Sequence, residues 1–227
     1  MLTLVIMSAI SVPAVAGEAV VKRVPAGAVA FHFVFNLDYV PVVPGPPEFV
    51  GYVAYIEGVD SSLFAGTPSK DTAYFTIRVT RGLPPPIDLL VETDPELTVQ
   101  LIAPDDMFAP GQFTVFYNSS PGPRDWKNPD TFSDGVPVAV FEEGALMSSQ
   151  AFGTFPGVFF NTFSAQLIDS SVIRFNGQKI NFKRIVPFGV TATNFGNAIH
   201  QDFSGVSGGG TAVAIGPKFR KAPDDDD

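Results

Sequence analysis

The chain of 227 residues contains no cysteine. Thiolate zinc sites, iron–sulfur clusters, cysteine nucleophiles and disulfide frameworks are excluded together, because each needs a sulfhydryl. Histidine is almost as scarce. With only His32 and His200 in the chain, neither a three-histidine zinc site nor a His-Glu-x-x-His helix can be built, and any general base is expected to be a carboxylate. Charge is thin as well: 16% of residues are Asp, Glu, Lys or Arg, against about 25% in an ordinary soluble domain. Ser, Thr, Asn, Gln and exposed backbone must therefore carry much of the solvation. Of the formal net charge of −9, four negatives sit in Asp224 to Asp227, which leaves a mildly acidic body. The best basic run, Lys218, Arg220 and Lys221, lies beside that acidic tail. No clustered basic face of the kind that phosphate backbones require is present, so nucleic acid is not an expected partner.

What is present suffices for a core. Hydrophobic residues make up 45% of the chain, and 21 Gly with 21 Pro indicate many turns. A chain above roughly 150 residues buries about 70% of its unfolded surface without disulfides, so export without cysteine is physically unproblematic. Leu2 to Ala16 is an apolar run, and Ala14-Val15-Ala16 before Gly17 has the small-x-small form of a signal-peptidase site, although Met1-Leu2-Thr3 lacks a basic residue. Residues 1–16 are therefore expected to be a signal peptide, 17–219 the mature domain and 220–227 a solvated acidic tail, with the protein secreted to the cell exterior, the cell surface or a periplasm. A spanning helix needs about 20 apolar residues. Pro13 interrupts this run and no second one follows, so no transmembrane segment is expected in the mature chain.

From Ala28 onward apolar and polar residues alternate with period two, and helical stripes are hard to find. Strands are predicted over 30–35, 49–57, 74–80, 97–103, 112–117, 136–141 and 159–167. The first carries Phe31, Phe33 and Phe35 on one face and Ala30, His32 and Val34 on the other, which suits a central strand covered on both sides. In Val172 to Phe182, Asn176-Gly177 separates two alternating runs, the strongest short hairpin signal. A two-residue turn there pairs Phe175 with Gln178, Arg174 with Lys179 and Ile173 with Ile180, and puts Ile173, Phe175, Ile180 and Phe182 on the core side. Proline clusters at 41–47 and 84–86 and the polar stretch 118–135 read as connections, and Gly205 to Gly210 as a flexible loop before a last strand, 211–215. The expected fold is all-β: a single-domain antiparallel β-sandwich of jelly-roll type, with a closed β-barrel as the alternative. The 22 phenylalanines fill a core in the first case and line a cavity or an interface in the second.

The chemistry-bearing residues form no recognisable catalytic spacing, and no catalytic residue is assigned. Gly205-Val206-Ser207-Gly208-Gly209 matches the nucleophile-elbow pattern, but more glycine follows instead of a helix, and no histidine lies beyond His200. Glu142 and Glu143 are neighbours that a strand points to opposite faces, and Asp105-Asp106 read as solvated turn residues. The loop Arg124-Asp125-Trp126-Lys127 is more informative, since the sole tryptophan stands among charges and prolines instead of in a strand. An indole flanked by donors stacks on a sugar or anchors a protein partner, or folds back over the core. Arg124, Trp126, Lys127 and His200, the last in a polar setting, are the candidate binding residues. Asp125, Asp130 and Asp134, with Asn128, offer hard oxygens that suit calcium, without the alternation of an EF-hand loop; no other cofactor is implied.

Three functions follow in order of preference. The first is a non-catalytic binding or structural module, secreted or at the cell surface, meeting a protein or carbohydrate partner and capable of self-association through strand edges. The second is a barrel holding a small apolar ligand. The third is an extracellular carbohydrate-active enzyme working through carboxylates.

Overall fold

Residues that alternate in and out along strand after strand must bury one face, and a sheet that curls until its two edges meet buries that face without leaving an edge open. The computed structural model, which describes residues 19–38, 49–80, 91–94, 97–102, 111–151, 158–198 and 205–217, has this arrangement. Its strands are β1 (Ala19–Val20), β2 (Val29–Asp38), β3 (Phe49–Ile56), β4 (Phe75–Thr80), β5 (Val91–Asp94), β6 (Leu97–Ile102), β7 (Gln112–Tyr117), β8 (Val136–Ala151), β9 (Val158–Ser170), β10 (Val172–Phe175), β11 (Gln178–Asn181), β12 (Val190–Ala198) and β13 (Gly205–Ala214). A 3-10 turn (Pro129–Phe132) and one short helix, α1 (Phe182–Ile185), complete the elements. Strands run β8-β7-β4-β3-β2-β13-β12-β9, and pairing of β9 back onto β8 closes an eight-stranded antiparallel barrel. Of the two all-β architectures open to the sequence, the closed barrel is the one formed. The long strand β8 holds β7 along its first part and β6, which carries β5, along its last.

An eight-stranded barrel has an interior just wide enough for side chains to fill, and phenylalanine fills this one. Phe31, Phe33, Phe35, Phe75, Phe113, Phe141 and Phe163 are all buried. Phe31 stands 6.1 Å from Phe113 and 6.4 Å from Phe141, and Phe113 is 5.6 Å from Phe141. One end is plugged by the predicted hairpin. The register is the one expected from Asn176-Gly177, with Phe175 opposite Gln178, Arg174 opposite Lys179 and Ile173 opposite Ile180. Asn176 at φ 45° and Gly177 at φ 80° form the turn, as a primed turn requires. β1 adds in parallel to β11, and the small sheet directs Phe175 and Ile180 into the barrel end. Phe175 meets Phe75 at 5.3 Å and Tyr74 at 5.2 Å. Asn181 caps α1 by accepting the amide of Lys183, and the helix lowers Phe182 against Phe31 at 6.3 Å. At the opposite rim the strands run into segments outside the described residues.

Two expectations are corrected. Gly205 to Gly210 is not a loop: it forms the first part of β13, laddered between β12 and β2. Glycine is there because the neighbours come close. A Cβ on Gly208 would stand 2.1 Å from the carbonyl oxygen of Phe195, and one on Gly210 would stand 2.4 Å from the ring of Phe33. The strand 30–35 is also not covered on both sides throughout. Ala30 is buried, but His32 is exposed on the outer surface, where Nδ1 lies 2.9 Å from the Thr211 hydroxyl.

Candidate functional site

Three regions hold the groups from which a site can be built. The first is the predicted loop. Residues 118–135 join β7 to β8 and fold back over the outside of β3 and β4. Trp126 is half-buried, stacked on Phe132 at 4.8 Å and tilted against Tyr52 at 6.5 Å. Phe132 is in turn held by the Thr76 hydroxyl, which donates to its carbonyl at 2.6 Å. The indole is therefore part of an outer aromatic layer. Lys127 is exposed beside it. Arg124 turns the other way: it is 5% exposed, its Nη1 donates to the Lys70 carbonyl, and the Lys70 ammonium donates to the Arg124 carbonyl. The Arg124 amide donates to Asp71 at 2.7 Å.

Burial pushes the Arg124 guanidinium below its ordinary pKa, opposed by Asp134 and Asp71, while the hydrogen bond from Lys70 holds the Asp71 carboxyl below the usual range. This arrangement is a staple between loops 57–74 and 118–135. Arg124→Ala should cost about 1–3 kcal/mol, because it leaves the part-buried Lys70 carbonyl without its guanidinium donor, while the backbone amide bond to Asp71 stays; a urea titration of both proteins reads it, and an unchanged midpoint would rule the staple out.

The remaining candidates are dispersed. His200 and Asp105-Asp106 lie outside the described residues. Each aspartate proposed for calcium has its own partner: Asp125 accepts the Lys127 amide, Asp130 pairs with Arg78 at 2.9 Å, and Asp134 accepts from Asn118 at 3.2 Å. Among the described residues no three His, Asp or Glu side chains gather as a metal cluster. Glu142 is exposed and Glu143 buried, on opposite faces of β8 as expected. Ser207 sits within β13, opposite Asn197 and Asn36, so no strand-to-helix elbow presents it.

The second region is the barrel interior toward the rim opposite the hairpin. Asn161 on β9 and Asn194 on β12 are directly opposite one another, 1% and 4% exposed, and neither Oδ1 has a hydrogen-bond partner. Asn194 borders a narrow gap whose other walls include Phe33, Phe35, Phe49, Phe113 and Phe163. Gly210 makes room for this amide, since a Cβ there would lie 2.5 Å from its oxygen.

The third region is the outside of β9, β12, β13 and β2. Register places Phe160, Phe195, Gly209 and Val34 in one row across these strands, and Thr162, Thr193, Thr211 and His32 in the next. Phe195 is 58% exposed. The Thr162 and Thr193 hydroxyls lie 3.3 Å apart, and Tyr55 on β3 continues the second row, its ring 5.6 Å from that of His32. None of the residues in these two rows is charged. Sequence reasoning passed over this face, although its signal was present: Val190, Ala192, Asn194 and Gly196, which point inward, alternate with Thr191, Thr193, Phe195 and Asn197 outward.

Comparison with known proteins adds no relative: no family model, no curated protein and no solved structure matches the chain.

Proposed function

We propose that the protein is a secreted, non-catalytic binding module, a β-barrel whose interior serves stability and whose outer surface meets a carbohydrate or protein partner at the cell exterior. The observation that carries this reading is the uncharged outer face on which Phe195 is 58% exposed. A phenylalanine left mostly in water forgoes about 1.5–3 kcal/mol of burial, and a partner that covers it recovers part of that. The apolar run 1–16 supports export. The test uses cell-envelope material of the producing organism. The exported chain should begin at Gly17 by mass spectrometry, sediment with that material, and release no soluble product. Product release abolished by Glu142→Gln or Glu143→Gln would overturn the non-catalytic reading in favour of a carboxylate enzyme.

A second reading, a small ligand held in the barrel interior, is favoured by one observation, the unpartnered Oδ1 of Asn194 beside the Phe-lined gap. A buried acceptor without a partner costs about 1–3 kcal/mol. If the amide is kept for a ligand, Asn194→Leu should raise the ligand-free stability by roughly 1 kcal/mol, seen as a higher denaturation midpoint. A lower midpoint would show that the amide is already satisfied inside the barrel, and the second reading would lose its support.

A further inference from the structure

We propose that the outer face centred on Phe195 binds a neutral polysaccharide. The inference rests on the binding-module reading and gives it a surface and a ligand class. Charge is the first argument. The chain carries −9 overall, yet the two rows across β9, β12, β13 and β2 contain no Asp, Glu, Lys or Arg side chain. A polyanion finds no cation on these rows and a polycation no anion, whereas an uncharged polymer meets no desolvation of ions.

Stereochemistry is the second argument. A sugar ring has C–H-covered faces that lie on the face of an aromatic ring, and a rim of hydroxyls that both donate and accept. Phe195 offers such a ring, with Phe160 opposite it on β9 and Gly209 opposite it on β13. Among the described residues, Gly209 on β13 has no side chain to cover the flank of Phe195 toward β2. Two residues along the strands, roughly 7 Å away, the hydroxyls of Thr193 and Thr211 run beside this ring. Thr193 shares a hydrogen bond with Thr162, and Thr211 one with His32. A hydroxyl has one donor and two acceptor positions, so each retains capacity for a ligand.

A protein partner fits less well. A protein interface core shares this lack of charge and these aromatics but adds methionine and arginine, whereas these rows offer hydroxyls of threonine and a glycine beside the two phenylalanines. Strand addition is closed to β2, β9, β12 and β13, since each is paired on both sides.

Native electrophoresis of the purified chain in gels containing soluble mannan, dextran or hydroxyethyl cellulose, with alginate as the anionic comparison, tests the assignment. At least one neutral polymer should retard the protein, and retardation should persist when salt is raised, because no ion pair is involved. Phe195→Ala, a change at a side chain mostly in water, should weaken the apparent affinity about tenfold, and Thr193→Val severalfold, with the unfolding midpoint of each unchanged. Retardation by none of the neutral polymers, or by alginate alone, overturns the ligand class. Equal retardation of wild type and Phe195→Ala overturns the face; if Trp126→Ala then abolishes binding, the binding-module reading stands and only this face is wrong. A wild-type dimer in sedimentation that Phe195→Ala dissociates would show that a second copy covers the face, and the proposal falls.

Discussion

Phe31→Ala should cost about 3–5 kcal/mol, the range for deleting a buried aromatic ring, against a total stability of about 5–15 kcal/mol for an ordinary domain. Phe31 is 1% exposed and touches four other rings: Phe33 at 6.2 Å, Phe113 at 6.1 Å, Phe141 at 6.4 Å and Phe182 at 6.3 Å. The first three belong to the barrel wall and the last to α1, so this one side chain joins wall and plug. Truncation leaves a void that rings held by closed strands cannot collapse into, and the transfer and cavity terms both count. The expected result is a two-state urea transition with a strongly lowered midpoint, or a chain without near-ultraviolet dichroism from its aromatic residues. Phe195→Ala is the matched control: the same atoms are removed from a side chain 58% exposed, and the midpoint should barely move. Comparable losses at both positions would mean that the Phe31 cluster is not the core.

How much of this was legible in the sequence depends on the range of the interaction. The hairpin at Asn176-Gly177 was readable down to its register because turn chemistry and alternation are local. The long strands were readable for the same reason, while their extents were not. β8 continues through Ala151, ten residues past the predicted end at Phe141, because its second half is held by β6 and β9 rather than by a pattern of its own. Closure was not readable at all. Whether the sheet ends meet depends on the pairing of β8 with β9, and alternation looks the same in an open sandwich and a closed barrel. Gly205 to Gly210 was misread because a glycine run signals two opposite situations, a chain that is free and a chain so crowded that no Cβ fits. In the candidate site, the folding back of Trp126 was one of the two readings the sequence allowed, but its partner Phe132, six residues along, was not readable, and Arg124, a candidate binding residue, points into the loop that Lys70 supplies. A charged residue type implies exposure only by default; a carbonyl from a distant loop overrides it.

The second large effect is expected at Gly189, where two independent constraints coincide. Its φ is +103°, a conformation that L side chains rarely adopt and that costs about 1–3 kcal/mol to impose. In addition, a Cβ at this position would stand 2.0 Å from the carbonyl oxygen of Ala165 and 2.8 Å from the Cα of Gln166. Both are backbone atoms of β9, which cannot yield as a flexible side chain does. The residue also anchors its surroundings: its amide donates to Val186 and its carbonyl accepts from Ile215, tying the end of α1 to the end of β13 one residue before β12 begins. Gly189→Ala should therefore cost about 3 kcal/mol or more, from backbone strain together with overpacking. It should also disturb the β9–β12 ladder at Val190 and Ala165, where hydrogen exchange would be accelerated first. Gly177→Ala separates the two causes. Gly177 also has positive φ, at +80°, but a Cβ there meets nothing within 4 Å, so only the backbone term remains and the loss should be about 1 kcal/mol. If both substitutions lower the midpoint equally, steric contact with β9 contributes nothing. If Gly189→Ala is the larger by about 2 kcal/mol, close approach of the two backbones is what requires glycine where the chain leaves the plug and re-enters the barrel wall.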